Sequence, residues 1–296
     1  MNRFRRFVGI DWSGASGDAL HGIQVAEIET GWSSPRLVRP LGGRSWSRRA
    51  VMEYILNAGD KPTLFGIDFA FSIPWNDSED LFSLNSLTDA RSLWELVDVQ
   101  CRHASDFYAG PIWLATDSPF RPYIYHHASG HRGERYSRER KRQVDRLAGD
   151  AISVYHMVGP QVGAGSFAGM RMLHAMSEAA GRARVRAVAI WPFEPIEQAA
   201  HAVVEIYPSL FYRQAGVRRP RRNELRTARF DSLARALGFY GFSHEADLCD
   251  CRSVDQADAL ISAAALSGIA SSDGGPFSLE KLKSDPREGW IFGLPA

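Results

Sequence analysis

Two short apolar runs that each stop on an aspartate constrain this chain most. Phe7-Val8-Gly9-Ile10 runs into Asp11, and Thr63-Leu64-Phe65-Gly66-Ile67 runs into Asp68. A short apolar run closed by turn-forming residues reads as a buried strand entering a tight turn. Trp12-Ser13-Gly14 supplies such a turn after the first run, and Pro62 opens the second. Between them, loose alternation from Leu20 to Ile28 and a shorter stretch from Arg36 to Leu41 predict two more strands. Val51, Tyr54 and Ile55 stand at helical spacing and predict a helix over 46–56, stopped by Gly59. Three strands, a helix and a fourth strand open a mixed α/β sheet.

Beyond Asp68 the pattern changes. Leu93, Leu96, Val97 and Val99 predict a helix over 89–108, residues 116–125 read as irregular, and 167–180 reads as helical. Residues 75–180 are therefore expected to form a helical and basic insertion on the sheet. The sheet is expected to resume over 184–191 and 202–207, where Pro208 ends it. Helices over 223–237 and 254–269 follow, and 289–293 is expected to close the fold as an edge strand. At 296 residues the chain is long enough for one elaborated domain, and that is the expected organisation.

Charge decides less than pattern. Lys and Arg total 35 against 34 Asp and Glu, so the net charge of +1 neither demands nor excludes nucleic acid. Locally the balance is uneven. His126 to Arg146 holds seven Arg or Lys against three acids, and Arg213 to Arg229 holds seven Arg against one Glu. Arg132, Arg135, Arg138, Lys141, Arg219 and Arg222 are the candidate phosphate contacts, with Tyr123, Tyr125 and Tyr136 placed to stack on bases. A solvated helix face with ordinary salt bridges accounts for the same charges equally well. Cys101, Cys249 and Cys251 are too few for a disulfide framework, and Cys-Asp-Cys is neither a zinc nor a redox CxxC, so reduced thiols in a cytoplasm are expected. Arg3-Phe4-Arg5-Arg6 precedes an apolar run too short for a signal peptide, and no stretch is apolar enough to predict a membrane span.

The acids carry the chemistry. Asp11 and Asp68 end strands, Glu205 lies within Val203-Val204-Glu205-Ile206, and Asp255 and Asp258 stand three apart at a predicted helix start, on one face. Each has a plainer reading. Asp11 suits a turn, Asp255 an N-cap or first-turn acid, and Glu205 a buried pair with an arginine such as Arg213. Asp68 and Asp258, set against apolar neighbours, are harder to explain structurally. Carboxylates gathered at neighbouring strand ends repel unless a cation offsets them, and oxygen-only ligands favour Mg²⁺ or Mn²⁺. Two such ions about 3.5–4 Å apart cleave phosphodiesters by activating water and stabilising the leaving oxygen. Gly163-Ala164-Gly165-Ser166-Phe167-Ala168 follows no clean strand, which argues against a dinucleotide loop, and Ser166 lacks the glycines of a nucleophile elbow.

Gly9-Ile10-Asp11-Trp12-Ser13-Gly14, Gly66-Ile67-Asp68-Phe69-Ala70-Phe71-Ser72-Ile73-Pro74, Val204-Glu205-Ile206-Tyr207-Pro208, Asp255-Gln256-Ala257-Asp258-Ala259-Leu260 and the closing Glu288-Gly289-Trp290-Ile291 resemble the DUF429 family of predicted ribonuclease H-like nucleases. The resemblance implies a ribonuclease H-like fold, a mixed five-stranded sheet flanked by helices, and a carboxylate-bound divalent metal. It implies Asp11 and Asp68 as strand ligands and Asp258, with Asp255 beside it, as the helix ligand. Glu205 matches a strand glutamate of that family. Trp12 departs from the small or polar residues commoner there and is expected to narrow the site. The function implied is a metal-dependent nuclease acting on DNA or RNA. Two rivals remain: an actin-like or sugar-kinase-type phosphotransferase using Ser13-Gly14 against phosphate, and a non-catalytic nucleic-acid or protein-binding module acting through its arginines.

Overall fold

The computed structural model describes residues 3–76, 79–157, 162–182, 187–220, 231–243, 251–271, 277 and 285–295. In chain order the elements are β1 (Arg6–Asp11), β2 (Gln24–Glu29), β3 (Arg36–Val38), α1 (Arg48–Leu56), β4 (Thr63–Ile67), α2 (Glu79–Leu84), α3 (Ala90–Cys101) and α4 (Pro111–Leu114). There follow β5 (Tyr125–His126), β6 (His131–Arg132), α5 (Gln143–Ala148), β7 (His156–Met157), α6 (Val162–Arg182), β8 (Val188–Ile190), β9 (His201–Glu205), α7 (Pro208–Gln214), α8 (Asp231–Phe239) and α9 (Val254–Ala270).

The main sheet has six strands in the order β3-β2-β1-β4-β9-β8, one more than the five expected. The extra members are brief: β3 and β8 are three residues each and sit at the two edges. β2 alone runs against the rest, because it pairs antiparallel with both β1 and β3 while β1, β4, β9 and β8 pair in parallel. The carboxyl ends of three adjacent parallel strands therefore open on the same side, where open α/β sheets place ligands.

Side-chain alternation assigns each strand residue to a face. Val8, Ile10, Phe65, Ile67 and Val203 join the apolar cluster of α1, α3 and α6, while Phe7, Leu64, Ala202 and Val204 join that of α7, α8 and α9. Helices thus cover both faces. Within residues 75–180, Leu93, Trp94, Phe167 and Ala168 of α3 and α6 share with α1 the apolar cluster against β1 and β4. A small three-stranded sheet, β6-β5-β7, is carried by the same segment.

Gly9 sets the second layer. A Cβ there would stand 2.4 Å from the Ala259 carbonyl and 2.5 Å from the Ala263 amide, so α9 lies backbone against backbone along β1. Only glycine permits that approach. Ala259 and Ala263 complete the close fit from the helix side.

Several boundaries move relative to expectation. The helix expected over 89–108 ends at Cys101, and that expected over 167–180 begins at Val162. Residues 289–293 form no edge strand; Ile291 makes a single parallel bridge to Glu205, and Phe292 N–H donates to the Glu205 carbonyl (2.8 Å). The helix expected over 223–237 is described only from Asp231, and its start, like Arg222 and Cys249, lies outside the described residues. Cys101 and Cys251 are buried free thiols. No described helix is long and apolar enough to cross a membrane.

Candidate active site

Register brings the strand acids together. Ile10 pairs with Ile67, and the Asp68 amide donates to the Ile10 carbonyl (3.0 Å), so Asp11 and Asp68 leave adjacent parallel strands at the same level. Alternation turns Asp11 toward α9, as it does Gly9. Ser253 caps α9 by accepting from the Gln256 amide (3.1 Å), which puts Asp255 in the first turn and Asp258 one turn on. The N-cap that Asp255 was a candidate for therefore belongs to Ser253. Both carboxylates sit near a helix N-terminus, where the partial positive charge favours anions.

The resulting cleft holds about 790 Å³, and its walls include Asp11, Trp12, Asp68, Arg219 and Asp255. Asp11 is buried and Asp68 half-buried. Asp258 is fully buried beneath Arg219, whose Nε meets both of its oxygens (3.1 and 2.8 Å) and whose Nη2 reaches Oδ2. Burial followed by repulsion from Asp258, Asp68 and Asp255 holds the Asp11 carboxyl well above its ordinary pKa. Burial, then Asp258, pushes Asp68 up to about 7. Asp258 rises to about 6, burial outweighing the Arg219 guanidinium that pulls it down. Burial is the larger cause in each case, as it is for the raised Glu205, and repulsion between neighbouring acids adds to it at Asp11 and Asp68.

Glu205 belongs elsewhere. It pairs in register with Ile67, so it faces the α6 side, away from α9. There Arg142 grips it with two bonds (2.6 and 2.8 Å) and grips Asp145 as well (2.7 Å), while the Phe71 amide donates to Glu205 (2.9 Å). Glu288 joins by accepting from the Trp75 and Gln143 amides (2.7 and 2.8 Å). Arg142, Asp145, Glu205 and Glu288 are all buried. The partner expected for Glu205, Arg213, instead pairs with Asp150. Glu205 still contributes to raising Asp68, but its own charge is answered.

The arginine candidates divide likewise. Arg219 is held by Asp258 and Arg135 by Asp80, whereas Arg132 and Arg138 line a separate open pocket. Lys141 is half-buried beside Arg142. Trp12 does narrow the cleft, but as a fixed wall: its indole N–H donates to the Gly165 carbonyl (3.0 Å) and its ring packs on Phe69. The Ser13-Gly14 turn is equally committed. Ser13 accepts from the Ala15 amide, its carbonyl accepts from the buried Arg48, and Gly14 is pressed against Ala164 and Gly165. Ser166 donates to the Val162 carbonyl and accepts from the Ala70 amide.

Sequence reasoning passed over Arg142, Arg48 and Tyr212. Tyr212 is buried, its hydroxyl has no hydrogen-bond partner among the described residues, and burial followed by the charge of Asp258 raises its pKa. Its position in Pro208-Ser209-Leu210-Phe211-Tyr212 gives no signal, since tyrosine is common in helical cores.

Whether a divalent ion suits the cleft can be judged from the donors. They are all oxygen, and among the described residues Asp11, Asp68 and Asp258 share the single Arg219 of the cleft, a donor set that suits Mg²⁺ or Mn²⁺. Among the described residues, no three His, Cys, Asp or Glu side chains are arranged as a ready metal-holding group, and both oxygens of Asp258 meet Arg219. The residues fit such an ion in chemistry and charge, with Arg219 as the competing cation. Comparison of the chain with protein-family models, curated proteins and solved structures returns no match.

Proposed function

We propose that this chain is a divalent-metal-dependent nuclease with a ribonuclease H-like core, hydrolysing phosphodiester bonds in the cleft at Asp11, Asp68 and Asp258. The observation that carries the reading is the uncompensated charge: three mutually repelling carboxylates, with Arg219 the one arginine or lysine among the described residues lining the cleft. The mixed sheet, with two acids at parallel strand ends and one on the facing helix, supports the same reading. Asp11 and Asp68 would hold Mg²⁺ or Mn²⁺, and Asp258 would join them as Arg219 turns to a substrate phosphate. When bound, one or two such ions supply a water of lowered pKa and stabilise the departing oxygen.

The chain's own residues do the rest. Arg219 is exposed on one side and planar, suited to grip a phosphate with two donors. Trp12, Ile152 and Val162 form an apolar wall that limits water around the reacting phosphate.

The test is cleavage of fluorescent single- and double-stranded oligonucleotides by the full chain with Mn²⁺ or Mg²⁺, alongside Mn²⁺ titration followed by thermal unfolding. Metal-dependent cleavage, reduced at least about 100-fold in Asp68→Asn, is expected. A folded protein that neither cleaves nor is stabilised by Mn²⁺ overturns the proposal.

A further inference from the structure

The basic segment expected to hold substrate does not act as one surface. Arg135 is paired with Asp80 and lies over the Tyr123 ring (5.7 Å), and Arg140 lies over the same ring (5.5 Å). Arg132 and Arg138 are different. Both are exposed, neither forms an ion pair among the described residues, and both line a pocket of about 470 Å³ with Tyr125, Tyr136 and Ser137. The small sheet builds this pocket. Tyr125 pairs in register with Arg132 on one side and His156 on the other.

Three rings meet at its floor. Tyr125 lies 5.2 Å from the His156 ring and 5.3 Å from the Tyr136 ring, with the planes within 32° of parallel. The Tyr136 hydroxyl bonds to His156 Nδ1, and Arg132 lies over the Tyr136 ring at 5.6 Å. The three rings are half-buried, and Tyr125 and Tyr136 line the pocket. Near-parallel aromatic rings beside two guanidiniums that have no carboxylate partner among the described residues, one of them over the Tyr136 ring, match a ligand that offers a flat π-system and a phosphate on one short tether.

The pocket also lies within reach of the acidic cleft. Ile152 lines the cleft and His156 stacks on Tyr125 of the pocket, and these two residues are four positions apart, at most about 14 Å of extended chain. We propose that this pocket is a subsite for single-stranded nucleic acid, one base stacking on Tyr125 and Tyr136 while the adjoining phosphate is held by Arg132 and Arg138. As a statement about substrate it rests on the nuclease reading. As a statement about binding it stands alone. A duplex is a poor ligand here, because its base faces are already stacked on one another.

The experiment is fluorescence anisotropy of a labelled single-stranded oligothymidylate with the full chain in EDTA, then cleavage of the same strand with Mn²⁺. Arg132→Ala with Arg138→Ala is expected to weaken binding at least 10-fold and to flatten the log K against log salt slope by about 1.4, the value for two phosphate contacts on a single strand. Tyr136→Leu is expected to weaken it roughly 5-fold or more, whereas Tyr136→Phe, which keeps the ring, should bind as wild type. Binding with these losses but no cleavage leaves the subsite standing and removes the nuclease. Cleavage with unchanged KM in the double arginine variant removes the subsite and leaves the nuclease. Equal loss in Tyr136→Phe and Tyr136→Leu, or binding of duplex as tight as single strand, also overturns the subsite.

Discussion

Two groups of acids meet at one end of the sheet, with Asp68 lining both the cleft beside Asp11 and a pocket beside Glu205, Arg142 and Asp145, and they behave differently. In one, Glu205 and Asp145 close on Arg142 with paired bonds, and Glu288 takes two backbone amides. In the other, Asp11, Asp68 and Asp258 share Arg219, which reaches only Asp258 among them. The first group is a closed network whose donors and acceptors match. The second, among the described residues, is left with surplus negative charge. A carboxylate at a strand end is thus no indicator of function by itself; what separates the two groups is how much counter-charge the described residues bring to each.

The comparison can be broken most sharply at Arg142. Arg142→Met leaves Glu205 and Asp145 buried without a counter-charge, a loss of about 3–5 kcal/mol. Urea unfolding should show it, with a fall in Tm of roughly 10 °C. A loss under about 1 kcal/mol would mean the network is not structural. Next is Gly9→Val, which forces α9 off β1 and costs about 1–3 kcal/mol by overpacking. It should also lower Mn²⁺ affinity, because Asp258 travels with the helix; unchanged affinity would show that Asp258 takes no part.

Asp68→Asn separates the two groups. Removing one repelling charge should leave stability unchanged or raise it by about 1 kcal/mol, whereas Glu205→Gln should lower it by about 1–3 kcal/mol. If Asp68→Asn is the more damaging of the two, the assignment of roles is reversed. The smallest effect is in pH. Asp68 and Asp258 hold protons more tightly folded than unfolded, so the folded chain binds more protons between about pH 4 and 7 for Asp68 and between about pH 4 and 6 for Asp258. Their contribution to stability is present at low pH and lost as pH rises through those windows. The urea midpoint of Asp68→Asn should therefore depend less on pH there than that of the wild type, and an equal dependence would argue against the shared repulsion.

Much of this could be read in the sequence. The paired apolar runs located β1 and β4, and the acids that close them met as expected, because parallel neighbours with similar patterns align their ends. Asp258 was legible for the same reason that Glu205 misled: an acid among apolar residues is buried, and burial alone does not say against what. Which face Glu205 takes depends on the register of β9 against β4, a long-range pairing that no local pattern encodes. Arg142 was hidden inside a basic run that resembles a solvated surface, and only its exposure of 1% distinguishes it from Arg132 or Arg138. The five-strand count came from the family resemblance, whereas the pattern itself placed strands over 36–41 and 184–191, where the short edge strands β3 and β8 lie.

The bare contact at Gly9 has a further meaning. Main-chain thickness, with no intervening rotamer, sets how far apart β1 and α9 lie, so the gap between the acids they carry is a fixed dimension of the scaffold. Surface loops and wall residues can be exchanged without altering it. A gauge of this kind suits a site whose occupant has one size.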